Sequence, residues 1–406
     1  MRFLFNTGVY KPAAVSSGPI HSVSGLAEKL VSRGHSVTVV ASLIEGAYGA
    51  EVKSGTRRNI AGVDVIYFRT EPYIWQRLPI RRLKRLSVFT MEPAFLKWLN
   101  TLPTDYDIVD SQLGFLCSNG PLSKWAKKNR IGYFYHQRGN LDPIRFGANS
   151  LFKKIYIKLV EARILRRSNR LVALSRKEGD VFEKWAPGQP VSIVPNGVHV
   201  DDWRDQAVSS EITASIASRG DEPMILWFSR YNRLKGPFLF IDAVNQLRKR
   251  HSDFFAVMAG TDENGLREAC IERIDELGLN DVIEVLPALG GEDRRYILQR
   301  AEIFALPTSG EGFSMAILEA MATRCAVVTT TEANFPELTE NGAGEIVPLE
   351  SEAFADAFER LLTKPAMRQS MVEQAERLVC DRYDWDMIAT QYESIAETVV
   401  GELKSA

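Results

Sequence analysis

Residues 309–322 read SGEGFSMAILEAMA and hold two glutamates eight positions apart, Glu311 in a glycine-flanked turn and Glu319 inside an apolar run. A carboxylate among Ala, Met, Ile and Leu is costly to bury unless donors meet it. Glu319 therefore either leans out to solvent from its helix or faces inward toward donors such as sugar hydroxyls. Glu311 taken alone is an ordinary turn residue, and the pairing within one strand–turn–helix context is what raises the chemical reading. IFALPT ends a strand, SGEGF makes the turn, and SMAILEAMA has helical composition with Ser314 as N-cap. The amides of Gly312, Phe313, Ser314 and Met315 then lie at the positive end of the helix dipole, a site suited to an anion.

A second pair is cationic. In SRYNRLKGP, residues 229–237, Arg230 and Lys235 flank a turn directly after the apolar strand MILWFS. Such residues can be solvated loop charges or can neutralise a phosphate. Residues 201–406 carry 20 Lys+Arg against 37 Asp+Glu, so a phosphate bound there needs cations at the site itself. Residues 1–200 carry 30 against 14, and the formal net charge of −1 hides this split. Opposite charge surpluses suggest two domains with different partners, the basic one meeting something anionic.

The elements that position these residues repeat one rhythm. At 406 residues the chain is long for one ordinary domain and suits two. Short apolar strands near 2–6, 36–41, 63–68, 107–110, 131–135, 170–174 and 191–194 alternate with amphipathic helices near 18–33, 83–99, 115–128, 151–167 and 175–185. The rhythm restarts at 224–229 and continues through strands at 254–260, 282–287, 303–307 and 326–331, with a helical end from 351. This is the α/β pattern of parallel sheets covered on both faces. It predicts two doubly wound, Rossmann-like domains, 1–194 and 195–382, facing each other across a cleft, with ligands outside the carboxyl ends of the strands. No GxGxxG is present. Gly18, after the first strand, is placed to let a diphosphate approach the backbone.

Four scattered cysteines without a CxxC pair argue against zinc and a disulfide framework and suit a reducing cytoplasm. The N-terminal MRFLFNTGVY reads as a first strand rather than a signal peptide, and no apolar run is long enough to span a bilayer.

The segment EGFSMAILEAMA resembles the paired-glutamate motif of the large retaining glycosyltransferase family 4, of GT-B fold. VPNGVHVDDW at 194–203 resembles that family's hinge into its second domain, and SRYNRLKGP its Arg-x4-Lys-Gly element. ANFPELTENGAGEIVP at 333–348 resembles the turn after its glutamate helix. YDWDMIATQYESI at 383–395 resembles a tail helix that crosses back to the first domain, here residues 383–406. The resemblance implies that Arg230 and Lys235 neutralise a leaving diphosphate in place of a metal ion, so no cofactor is expected. It also implies that Glu311 meets donor-hexose hydroxyls and Glu319 the ribose. In YFYHQRGNLDPIRF, 133–146, many relatives carry a histidine directly before the glycine, where this chain has Arg138 with His136 two residues earlier. Either could stand beside the sugar, or His136 is a structural residue. Asp105-Tyr-Asp107 resembles the Asp-x-Asp metal motif of the other glycosyltransferase fold, and reads instead as the start of a strand.

The function implied is hexose transfer from a UDP- or GDP-linked sugar to a glycan or lipid-linked acceptor in cell-surface polysaccharide synthesis. Two alternatives stay open, a nucleotide-sugar 2-epimerase and a non-catalytic nucleotide-sugar-binding regulatory protein. Nucleic acid has no recognition motif here. The segments 76–89 and 151–170 interleave Lys and Arg with apolar residues. They are either helices lying on an anionic membrane surface or packed helices with a solvated face.

Overall fold

The computed structural model describes all residues except 14–17, 44–47, 49–51, 73–88, 92, 142–149, 263–264 and 406. The chain divides into two compact units, Met1–Asn196 with Trp385–Ala406, and Gly197–Asp384.

Unit 1 is built on β1 (Arg2–Thr7), β2 (Ser36–Leu43), β3 (Arg57–Ile60), β4 (Val63–Pro72), β5 (Phe89–Met91), β6 (Ile108–Ser111), β7 (Gly132–His136), β8 (Arg170–Ala173) and β9 (Val191–Ile193). The spatial order is β3-β4-β2-β1-β6-β7-β8-β9, with β5 on β4. All neighbours pair parallel except β3 and β5, which run antiparallel to β4. The central strands are buried on both faces, which is why FLF and VTVVA read as unbroken apolar runs. Phe5 stands opposite Val39 and Asp110, and Asp110 opposite Phe134, so a carboxylate sits in the middle of the sheet. The helix Trp385–Ser405 lays Trp385, Ile388, Tyr392, Ala396 and Val399 into the core formed with Phe3, Phe5 and Phe134.

Unit 2 has β10 (Met224–Phe228), β11 (Phe255–Ala259), β12 (Ile283–Val285), β13 (Ile303–Leu306), β14 (Ala326–Thr329) and β15 (Gly344–Ile346). They pair parallel in the order β12-β11-β10-β13-β14-β15. Leu226 of β10 lies between Val257 of β11 and Phe304 of β13. The loops leaving β10 and β13 are therefore neighbours at the carboxyl edge of the sheet, where open α/β sheets hold ligands.

One expectation needs correction. The helix expected over 83–99 is preceded by strand β5, and the helical part is Pro93–Thr101. Residues 76–88 of the first basic segment lie outside the described residues. Asp105-Tyr-Asp107 leads into strand β6 as expected, and both carboxylates are held by Arg2. Its guanidinium ion-pairs with Asp105, and its N–H donates to Asp107 Oδ2 at 2.7 Å, at the amino end of β1 and β6. That is the sheet edge opposite to the one where ligands bind.

Candidate functional site

In unit 2 the loop after β10 is fixed by its own hydrogen bonds. Arg230 is exposed two residues past the strand, and Arg233–Lys235 form a single tight helical turn. Asn232 Oδ1 caps that turn from the Leu234 N–H at 2.9 Å, and the Trp227 indole N–H donates to Lys235 O at 3.0 Å. Gly236 ends the turn at φ 59° and is the N-cap of the helix Pro237–Arg248. A Cβ there would meet the Pro307 carbonyl oxygen, so only glycine permits this approach to the neighbouring loop. The loop after β13 completes the crossing. Ser309 N–H and Thr308 Oγ1–H both donate to Leu234 O, at 2.8 and 3.0 Å.

This crossing brings Lys235 onto Glu311. The ammonium ion-pairs with Glu311 Oε1, and both side chains are largely buried. The Glu311 backbone is held as well, its N–H donating to Glu332 O at 2.9 Å and its carbonyl accepting from Asn334 Nδ2. Phe313 is anchored between Phe335 and Tyr383, with ring centroids 5.1 and 5.7 Å away. The helix Met315–Ala322 follows with Ser314 at its N-cap position, and no side-chain hydrogen bond caps its first turn. The amides expected for an anion, those of Gly312 through Met315, are thus not consumed by the Ser314 hydroxyl.

Glu319 faces inward. Its side chain is 4% exposed, and Oε2 accepts from the Arg294 guanidinium, itself 15% exposed. Arg294 Cζ lies 5.5 Å from the Trp203 ring and 5.1 Å from the Phe228 ring, a cation between two aromatic faces. Burial raises the Glu319 carboxyl above its ordinary range and Arg294 opposes that rise. Oε1 has no hydrogen bond among the described residues, which leaves one oxygen of a buried carboxylate for another donor. Arg294 had no signal in the sequence, where GEDRRYILQR reads as a solvated helix face.

Unit 1 gathers a different constellation at the carboxyl ends of β6 and β7. Asp110 Oδ2 accepts from Tyr392 O–H at 2.5 Å, Gln112 Nε2 at 2.7 Å and His136 Nε2 at 3.0 Å. His136 Nε2 and Gln112 Nε2 thus face the same carboxylate oxygen. Burial holds the imidazole below its usual pKa. Arg138 is a non-glycine residue at φ 48°. Its guanidinium donates to Gln112 O at 2.8 Å, Ser22 Oγ at 2.8 Å, Asn196 Oδ1 at 2.9 Å and Gln112 Oε1. Burial lowers its pKa to about 10. Both residues expected beside the sugar are therefore buried and engaged inside unit 1. Gly18 starts the helix Gly18–Ser32, with open space where a Cβ would stand. Asp110 and Tyr392 were missed, although a carboxylate inside the apolar strand YDIVDS is the same kind of signal as Glu319.

Comparison with known proteins agrees with this architecture. Residues 18–202 match the family model described as Glycosyltransferase Family 4, and 208–378 the model described as Glycosyl transferases group 1. The GDP-mannose:cellobiosyl-diphosphopolyprenol alpha-mannosyltransferase of Komagataeibacter xylinus is 25% identical over 300 residues, 72% of this chain and 70% of that protein. A D-inositol 3-phosphate glycosyltransferase of Corynebacterium urealyticum is 31% identical over 175 residues, 41% of each chain. The crystal structure of Anabaena HepE in complex with UDP superposes with a TM-score of 0.75 at 19% identity, covering 98% of this chain and all of the other. Two parallel-sheet units, matches to both family models and the glutamate and basic pairs on adjoining loops converge. The chain belongs to glycosyltransferase family 4, and it is a nucleotide-sugar glycosyltransferase of GT-B fold.

Proposed function

We propose that the chain transfers a hexose from a UDP- or GDP-linked donor to a glycan or lipid-linked acceptor of a cell-surface polysaccharide. Transfer proceeds with retained anomeric configuration and without a metal ion. The observation that carries this proposal is the crossing of the loops after β10 and β13, where Lys235 meets Glu311 beside a helix start that no side chain caps. As the glycosidic bond breaks, charge grows on the leaving diphosphate, and Lys235, Arg230 and the amides of Gly312–Met315 stabilise it where it develops. Displacement of Lys235 toward the diphosphate frees Glu311 to accept from hexose hydroxyls. Glu319 Oε1 accepts from ribose hydroxyls while Arg294 holds the other oxygen. The leaving phosphate oxygen takes the acceptor's proton on the face it departs from, which keeps the anomeric configuration. His136 and Arg138 shape unit 1 from inside and take no step. GDP-mannose and a diphosphopolyprenol acceptor in the mannosyltransferase's name, and UDP in the HepE complex, support these donor and acceptor classes.

The test is a screen of the full chain against UDP- and GDP-hexoses with glycan and lipid-diphosphate acceptors, with and without EDTA. Nucleotide release should occur with one donor, survive EDTA and give a product with the donor's anomeric configuration. An inverted product, or strict dependence on a divalent ion, would overturn the mechanism. Absence of nucleotide release with every donor would overturn the donor assignment.

A further inference from the structure

The helical stretch from Ser150 to Leu165 has an outer face that nothing in the transfer chemistry uses. It runs as an α-helix to Tyr156, a π turn over Ile157–Glu161, and one more α turn from Ala162. Its inner face is fixed by Ile157, Ala162, Ile164 and Leu165, all buried, and by Glu161, which accepts from Tyr135 O–H at 2.6 Å and from Phe115 N–H at 3.1 Å. The outer face is a stripe of large apolar side chains. Leu151 is 73% exposed, Ile155 47%, Leu159 51% and Val160 38%. They are four of the ten exposed large hydrophobics among the described residues, so this clustering within ten positions is not scatter.

The same face is cationic. Lys154, Lys158, Arg163 and Arg166 are exposed between and beyond the apolar positions, and none is ion-paired to a described residue. Glu161, the only acidic residue from 150 to 170, is turned inward. An apolar stripe edged only by cations lacks the mixed-sign rim of an ordinary solvated helix. Its complement is an apolar layer with an anionic surface, which is the chemistry of a lipid leaflet.

We infer that the outer face of residues 151–166 docks on an anionic lipid surface, with Leu151, Ile155 and Leu159 entering the headgroup boundary and the four cations meeting lipid phosphates. This goes beyond the donor chemistry proposed above and does not depend on it. The experiment is co-sedimentation of the full chain with vesicles of phosphatidylcholine alone or with phosphatidylglycerol, at low and raised salt. Wild type should sediment with the anionic vesicles, less so at raised salt, and stay in the supernatant with the neutral ones. Replacing Lys154, Lys158, Arg163 and Arg166 by Gln should lower partitioning on the order of a hundredfold after screening. Leu151→Ser, Ile155→Ser and Leu159→Ser together should lower it by a similar factor while removing no charge. A control with the exposed Leu349→Ser should bind as wild type. The variants are surface changes and should keep wild-type Tm and nucleotide release from soluble donor. Wild type left in the supernatant, either combined variant binding like wild type, or the control losing binding equally would overturn the inference. So would sedimentation velocity showing a dimer that Leu151→Ser dissolves, since the face would then be covered by a second copy.

Discussion

Replacing Arg294 by Met isolates what the buried Arg294–Glu319 pair does. Met keeps an unbranched apolar side chain there and removes the guanidinium, whose Cζ lies over the Trp203 and Phe228 rings. Breaking a buried ion pair by deleting one partner costs about 3–5 kcal/mol, because the other charge is left uncompensated. Glu319 has an escape, which is to bind a proton. For a carboxyl with an unfolded value of 4.5, protonation costs about 3.4 kcal/mol at about pH 7 and about 1.4 kcal/mol at about pH 5.5, at 1.36 kcal/mol per unit. Neutralisation is therefore the cheaper outcome, and it caps the loss. The cap is itself an upper value, because burial already raises Glu319 in the wild type. A carboxyl raised in the folded state favours folding below its unfolded value, and that contribution is lost as pH rises through its folded value. Loss of Arg294 raises the folded value further, so the variant's deficit should be small at about pH 5 and grow toward about 3 kcal/mol by about pH 8. Urea denaturation across that range measures it as a shift in midpoint at constant slope. Nucleotide affinity by calorimetry should fall in parallel near neutral pH, and the preference for ribo- over deoxyribonucleotide should shrink, because a neutral carboxyl accepts less well. A deficit that is flat with pH, or an unchanged ribose preference, would refute the assignment of Arg294 as the residue that keeps Glu319 ionised and positioned.

Lys235→Ala should lower kcat more than it raises KM, by about 2–4 kcal/mol of transition-state stabilisation, since the diphosphate charge grows during bond breaking. Steady-state kinetics separate the two constants, and a change confined to KM would show that Lys235 serves binding alone. Glu161 carries a different signature. Burial pushes its pKa up to about 7, so its favourable contribution is complete below about 4.5 and fades as pH rises through about 7. Glu161→Gln should flatten the wild-type decline between about pH 5 and 8, which amounts to about 3 kcal/mol at most. An unchanged slope in thermal denaturation across that range would place the titration elsewhere.

Much of this was legible because parallel sheets write themselves as apolar runs between amphipathic helices. The strand from Met224 and the loop SRYNRLKGP were placed from that pattern, and so was the Glu311–Glu319 spacing on turn and helix. What escaped were features whose cause lies in distant partners. The β3–β4 hairpin turns on Ala61-Gly62, both at positive φ, with Asn59 Oδ1 accepting from the Gly62 N–H at 3.1 Å. Alanine in that position gives no turn signal of the Asn-Gly kind. Arg294 looks like any solvated helix arginine until the fold brings Glu319 and two aromatic rings around it. Phe89–Met91 is too short to show strand alternation, and it is a strand only because β4 offers it an edge.

Unit 1 is assembled from two segments far apart in the chain, and that has a cost for its core. Asp110 stands in mid-sheet within the first 196 residues, while the hydroxyl it accepts from belongs to Tyr392, 282 positions later. The rings of Phe3, Phe5 and Phe134, each 5.7–6.1 Å from that of Tyr392, have no cover on that side until then. Unit 2 is contiguous and closes its own ends, with Val198 bridged to Asp384 and its N–H donating to Tyr383 O at 2.8 Å. Unit 2 can therefore be completed from contiguous sequence alone. Unit 1 stays incompletely filled until the distant helix Trp385–Ser405 is added to it.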